Sequence, residues 1–271
     1  MLMTESGFDA LVKTETGFHG SILLQERQGL TDGYWGKGNW QVYPFATLIA
    51  RDKVLFYQHN LAPETFTHNK ATLAWNVAMG YNLSYDLYVS NLGGGVEDGF
   101  INVVGAFQKY VLSHYVNERI TSYTNLLPRV TQTAFENVTA TTNWDENNPY
   151  PSGDSVLAPS GVLVTANDGS LIAGVFTTYH GAPLSSGDNY LIEIRPADII
   201  ILRQPLGADT DLTVRLQPGW NSSTALEVWA YTMDGRRIGK TPVAIHKDSL
   251  TFHYSNILTG TPAAYYQVSK P

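Results

Sequence analysis

"MLMTESGFDALVKTETGFHGS" (Met1–Ser21) opens with a brief apolar run that ends in a carboxylate, Glu5. A short apolar run bounded by polar and glycine residues reads as a buried strand. The opening therefore reads less as a start than as a cut through a larger β/α structure.

Further along, "ALVKT" (Ala10–Thr14), "ATLIA" (Ala46–Ala50) and "VLFYQHN" (Val54–Asn60) are equally brief and apolar, as strands of a parallel sheet are. A helix is predicted after them, because Ala71, Ala74, Trp75, Ala78 and Tyr81 recur at spacings of three and four. Thr67 can cap it and Gly80 can stop it. "YNLSYDL" (Tyr81–Leu87) then reads as the next strand. After "GGGVEDG" a longer helix is predicted: Ile101, Val104, Phe107, Val111, Ile120, Tyr123 and Leu127 keep an approximately helical spacing until Pro128. Asp98 is placed to cap its start, at the positive end of the helix dipole.

Beyond Pro128 the pattern changes. "GVLVTA", "SLIAGVFTTY", "NYLIEIR", "DIIILRQ", "LTVRL", "ALEVWAYT", "TPVAIHK", "LTFHY" and "AAYYQV" follow one another at short intervals, as strands of an antiparallel sandwich do. Asn167–Gly169 and Met233–Gly235 are hairpin signals, since primed turns need the positive φ that Asn, Asp and Gly tolerate. The expected organisation is a partial β/α barrel of the TIM type over 1–128, followed by an antiparallel β-sandwich over 129–271.

Composition narrows the function. The 271 residues carry a net charge of −7, with 15% charged and 12% aromatic residues and no Lys/Arg run, which argues against a nucleic-acid surface. Aromatic faces with few charges suit neutral polar ligands such as sugars. There is no cysteine, hence no disulfide framework and no thiolate zinc site, and the compartment stays undetermined. No stretch approaches the roughly 18 apolar residues of a membrane span.

"MLMTES", then "YPFATLIARDKVLFYQHNLAP", then "LAWNVAMGYNLSYDL" resembles the last barrel strands of (β/α)8-barrel glycoside hydrolases of the α-galactosidase-like or a related uncharacterised barrel family, and "FQKYVLSHYVNERI" resembles their last barrel helix. The resemblance implies hydrolysis of a glycosidic bond, with a C-terminal β-sandwich appended to a (β/α)8 barrel. A full barrel takes about 250 residues, so 1–128 would hold only its C-terminal strands. A half-barrel leaves strand edges unpaired, which oligomerisation covers, so a homo-oligomer is expected.

Active-site residues of such barrels sit at the C-terminal ends of strands. Glycosidases need one carboxyl group to protonate the leaving group and another as nucleophile or base. Glu5 is the candidate acid/base. Glu15, at the end of the strand expected over Ala10–Thr14, is its rival, while Asp9 suits a cap or turn. Gln58, His59, Asn60 and Asp86 are placed to contact sugar hydroxyls. Tyr34, Trp35 and Trp40, set among glycines in "DGYWGKGNW", form a loop suited to stacking on a pyranose ring.

Other chemistries lack support. "GGGVEDG" has no phosphate-loop lysine, no Gly-x-Ser-x-Gly elbow occurs, and the seven histidines form no zinc pair. Asp188, Asp209 and Asp211 read as turn residues, with calcium as the minority reading. No cofactor or metal is implied. The partner is a carbohydrate substrate, with no nucleic acid and no membrane. A non-catalytic carbohydrate-binding protein is the alternative function.

Overall fold

The computed structural model describes residues 3–5, 13–14, 16–19, 45–51, 53–57, 70–71, 73–83 and 96–271. They fall into two compact units, Met1–Asn148 with Pro159–Asn167, and Pro149–Ala158 with Asp168–Pro271. Most of the structure is antiparallel β-sheet.

The first unit begins with three short parallel strands, β1 (Met3–Glu5), β2 (Gly17–His19) and β3 (Leu55–Tyr57), in the order β1-β2-β3. Helix α1 (Phe45–Ala50) precedes β3, so "ATLIA", expected as a strand, is helical. Four apolar residues around Thr47 fit either state, and periodicity cannot separate them. The strand expected over Ala10–Thr14 is also displaced: Lys13 and Thr14 lie in a turn and β2 starts at Gly17.

Helix α2 includes residues 73–79. Leu73, Ala74, Trp75, Val77, Ala78 and Met79 are all buried, so it is covered all round rather than along the single face its spacing suggested. It stops at Gly80, whose φ of +66° and distance to Arg51 leave no room for a side chain: a Cβ there would lie 2.7 Å from Arg51 Nη2. Arg51 is itself buried, and its Nη2 donates to the carbonyls of Tyr115, at 3.5 Å, and Val116. Burial lowers its pKa to about 10. Around α2 pack Ala50, Val54, Phe56, Tyr81 and Trp144, with Trp75 and Trp144 at a 5.6 Å centroid separation.

Helix α3 runs Val96–Tyr110, which puts Asp98 inside its first turn, and a 3-10 turn follows at Leu112–His114. The predicted helix then ends early. Ile120–Leu127 is strand β4, paired with β5 (Val130–Phe135) through a two-residue turn in which Leu127 faces Val130. "ITSYTNLL" is rich in β-branched and aromatic residues, and its helical spacing is coincidental. Pro128 is the first turn residue, and Arg129, at φ +64°, is the second, as in a type II turn. β6 (Val138–Asn143) continues the meander.

In the second unit, β7 (Tyr150–Ser152) and β8 (Ser155–Leu157) form a hairpin. Next in the chain comes β9 (Val162–Ala166), which belongs to the first unit and pairs with β6. The rest of the second unit comprises β10 (Leu171–Tyr179), β11 (Ala182–Pro183), β12 (Asn189–Ile194), β13 (Ile199–Leu206), β14 (Thr210–Arg215), β15 (Glu227–Tyr231), β16 (Arg237–Thr241), β17 (Val243–His246), β18 (Ser249–Tyr254), β19 (Ile257–Leu258), β20 (Thr261–Pro262) and β21 (Tyr265–Ser269).

One layer has the order β16-β15-β21-β13-β12-β10, with β8 and β11 also on β10, and a second has the order β14-β18-β17. Along β15, β21 and β13 of the first layer, Val228, Ala230, Tyr266, Val268, Ile200 and Leu202 are buried at alternate positions. Leu212, Val214, Leu250, Phe252 and Tyr254 supply the buried side of the second layer. The layers meet where Tyr266 packs on Phe252 (5.4 Å) and Tyr254 (4.4 Å), as in a sandwich. Both predicted turn sites carry the required glycine, at φ +75° in Gly169 and +83° in Gly235. Among the described residues no helix is long and apolar enough to cross a membrane.

Candidate functional site

The parallel strands set one row of positions at their C-terminal ends. Glu5 on β1 is in register with His19 on β2, which is in register with Tyr57 on β3. Tyr57 in turn makes a parallel bridge to Asn82, after α2. Chain order and spatial order thus agree over four successive positions, with helix α1 between β2 and β3 and helix α2 between β3 and Asn82.

The two faces of this small sheet differ. Phe56 is buried against α2 residues and stacks on Tyr81 at 5.0 Å and 17°. Tyr57, the next residue, belongs to the opposite face and is half-buried. Asn82 is a structural member of the row: it accepts from Gln108 Nε2 at 3.0 Å, and Leu83 N donates to Gln108 Oε1 at 2.7 Å, tying α3 to this position.

Glu5 therefore stands at a strand end, where the sequence placed it. Glu15 lies outside the described residues. Tyr34, Trp35, Trp40, Gln58, His59, Asn60 and Asp86 also lie outside the described residues. His19 and Tyr57 share the row of Glu5 without having been singled out. "GFH" gave a weak signal, and the strand expected at Ala10–Thr14 drew attention from it.

A second cluster of charged groups lies wholly within the sandwich unit. Strand β10 turns into β11 through His180 and Gly181, both at positive φ (+46° and +79°), a type I′ geometry. The turn is tied to the β7–β8 loop, where Ser155 Oγ accepts from His180 N at 3.2 Å and the Asp154 carbonyl accepts from Gly181 N at 2.6 Å. His180 Nδ1 is 3.1 Å from Asp154 Oδ2, and its Nε2 lies 3.7 Å from Glu193 Oε2, an ion-pair distance rather than a hydrogen bond. Arg195 Nε donates to Glu193 at 2.5 Å, and Arg215 Nη2 donates to Asp154 at 2.7 Å.

Burial alone would lower the His180 pKa, but the carboxylates of Glu193 and Asp154 outweigh it and raise the value. Burial alone would likewise raise Glu193; His180, Arg195 and Tyr179 more than offset this and hold it below the usual carboxylate range. The opposed charges stabilise one another in the ionised state, which suits a structural lock.

The calcium reading of the sandwich aspartates gives way to hydrogen bonding. Asp209 accepts from Ser255 Oγ at 2.6 Å and from Asn256 N and Nδ2 at 2.9 Å each, and Asp211 faces His253 Nδ1 at 2.8 Å. Among the described residues no cluster of three or more His, Asp or Glu is placed to hold a metal ion.

No protein-family model matches the chain, and no curated protein matches it. Among solved structures it is similar to a GH30 endoxylanase from Clostridium papyrosolvens C71, with 9% identity and a TM-score of 0.27. That match covers 98% of this chain and 51% of the endoxylanase, so the chain spans about half the length of its neighbour.

Proposed function

We propose that the protein is a glycoside hydrolase in which a β/α segment within 1–128 forms part of a TIM-type barrel and the β-sandwich lies within 129–271. One observation carries this reading. Glu5 ends a parallel strand in register with His19 and Tyr57, at the edge where β/α folds assemble their active sites. In this reading Glu5 is the general acid/base of an oxocarbenium-like hydrolysis, and Glu15 is the alternative holder of the role. Gln58, His59, Asn60, Asp86 and the loop of Tyr34, Trp35 and Trp40 bind the sugar. The open edge of the parallel strands is covered in a homo-oligomer.

Turnover of aryl glycosides of several sugars tests the reading. Activity that falls by about 10³-fold or more in Glu5→Gln is expected, the size of the effect of losing a positioned acid/base. Activity lost only in Glu15→Gln moves the role to that residue. Glycan binding without turnover, unchanged in both variants, overturns hydrolysis in favour of a non-catalytic carbohydrate-binding protein. A monomer by light scattering at micromolar concentration overturns the oligomer.

A further inference from the structure

The sequence holds three Asn-x-Ser/Thr triplets, at Asn82, Asn137 and Asn221, and their places in the fold tell them apart. Asn82 is buried and its amide is engaged at both ends: Nδ2 donates to the Phe56 carbonyl at 3.4 Å, and Oδ1 accepts from Gln108. Asn137 stands in the turn between β5 and β6, where its Nδ2 donates to Glu118 Oε1 at 2.7 Å and its backbone N to Oε2 at 2.9 Å. Thr139, which completes that triplet, lies on β6 and is paired with both β5 and β9. A bulky group on Asn82 has no room in the buried site, and one on Asn137 crowds the Glu118 contact.

Asn221 differs on each count. Residues 216–226 belong to no strand, and within them Asn221, Ser222 and Ser223 are all exposed. Buried Trp220 and Leu226 anchor the loop on either side of the triplet. Asn221 N donates to Thr224 Oγ1, and Thr224 N donates back to the Asn221 carbonyl, each at 2.9 Å. Asn221 Oδ1 accepts from Ser223 N at 2.9 Å and from Ser223 Oγ at 2.6 Å. The triplet's own hydroxyl thus holds the amide by its oxygen. The amide nitrogen is bonded to none of the described residues and is directed away from the loop's hydrogen bonds.

From this contrast we propose that Asn221 is the acceptor of an N-linked glycan. The donor class is an oligosaccharide carried on a lipid pyrophosphate. A bond forms from Asn221 Nδ2 to the anomeric carbon of the first sugar, the bond from that carbon to the pyrophosphate oxygen breaks, and one amide proton passes to a base of the transferase. Nothing is oxidised or reduced. An exposed loop admits both the transferase and the bulky product, and a segment outside the sheets opens locally at lower cost than a paired strand. The assignment rests on the loop and the triplet and is independent of the glycoside hydrolase reading.

Incubating the folded full chain with a purified single-subunit oligosaccharyltransferase and a lipid-linked oligosaccharide tests the proposal. Intact mass counts the glycans and peptide mapping places them. A single glycan, on Asn221, is expected, and Asn221→Gln should abolish transfer. Ser223→Ala should lower transfer about tenfold or more, the scale of one hydrogen bond to the amide, whereas Ser223→Thr should retain it. Asn137→Gln should be modified as the parent is, and thermal melts report that every variant folds. No transfer to the parent, equal transfer to the folded Asn221→Gln variant, indifference to Ser223→Ala, or modification of Asn82 or Asn137 in the folded chain overturns the proposal.

Discussion

The Tyr179 hydroxyl donates to the carboxylate of Glu193 across 2.8 Å, and neither side chain reaches solvent. Burial, reinforced by Glu193, pushes the phenol well above its usual pKa, so it remains a donor. Arg195 occupies the other carboxylate oxygen. Replacing Glu193 with Ala leaves this arginine only the Arg215 carbonyl, at 3.0 Å, and no countercharge at position 193, and should cost about 3–5 kcal/mol. Tyr179→Phe removes one donor while Arg195 and His180 remain, and should cost about 1–3 kcal/mol. Urea unfolding monitored by circular dichroism measures both, and a smaller loss for Glu193→Ala than for Tyr179→Phe contradicts the assignment.

Stability should depend on pH through His180. Its folded pKa is raised, so its contribution is complete below the ordinary histidine value of 6.5 and is lost as pH rises through the folded value. Glu193 and Asp154 are lowered, so theirs is present above the ordinary carboxylate values and lost as pH falls through the folded ones. The network contributes most between about pH 4.5 and 6.5. His180→Asn tolerates the left-handed backbone, and its melting-temperature deficit should be largest in that window and shrink above it. A deficit that grows toward pH 8 contradicts this.

Gly80 and Arg51 should respond as a coupled pair. Gly80→Ala meets both the positive φ and the guanidinium, and should destabilise by more than about 1 kcal/mol. Arg51→Met removes the donor to Tyr115 and Val116, at about 1–3 kcal/mol. Combining them should cost less than the sum, because the shorter-reaching methionine relieves the clash. Chemical denaturation of the four proteins of this cycle gives the coupling directly, and strict additivity contradicts the contact.

Asp209 should act as a staple between loops. Millimolar calcium and a chelator should leave the melting temperature unchanged, whereas Asp209→Ala should cost about 1 kcal/mol, a figure kept small by its exposure to solvent. A calcium-dependent rise in the parent that Asp209→Ala abolishes restores the metal reading.

Much of the sandwich was legible because its strands combine apolar runs with strong turn residues at Gly169 and Gly235. Local reading failed where a pattern fits two states. Ala46–Ala50 is too short to declare a period, and Ile120–Leu127 satisfies helical spacing by accident while its threonines and tyrosine favour a strand. The Pro128–Arg129 turn carries no Asn or Gly, so Pro128 read as a helix stop. The position of Glu5 at the end of a short strand was legible because a brief apolar run bounded by polar residues marks its own limits. The Asp154, His180 and Glu193 cluster was not, since only the pairing of β8 and β12 with β10 unites three residues so far apart in the chain.

The same Pro128–Arg129 turn bears on how the chain folds. β4, β5 and β6 are joined by links of two residues, so their pairings close small loops and lose little chain entropy. β14 finds β18 only after three intervening strands have been made, and the Arg215 contact to Asp154 spans 61 positions. Contacts between near neighbours form faster than those between distant ones. The meander from Ile120 to Asn143 should therefore form early, and the packing of Trp144, at its end, on Trp75 comes only when α2 joins it.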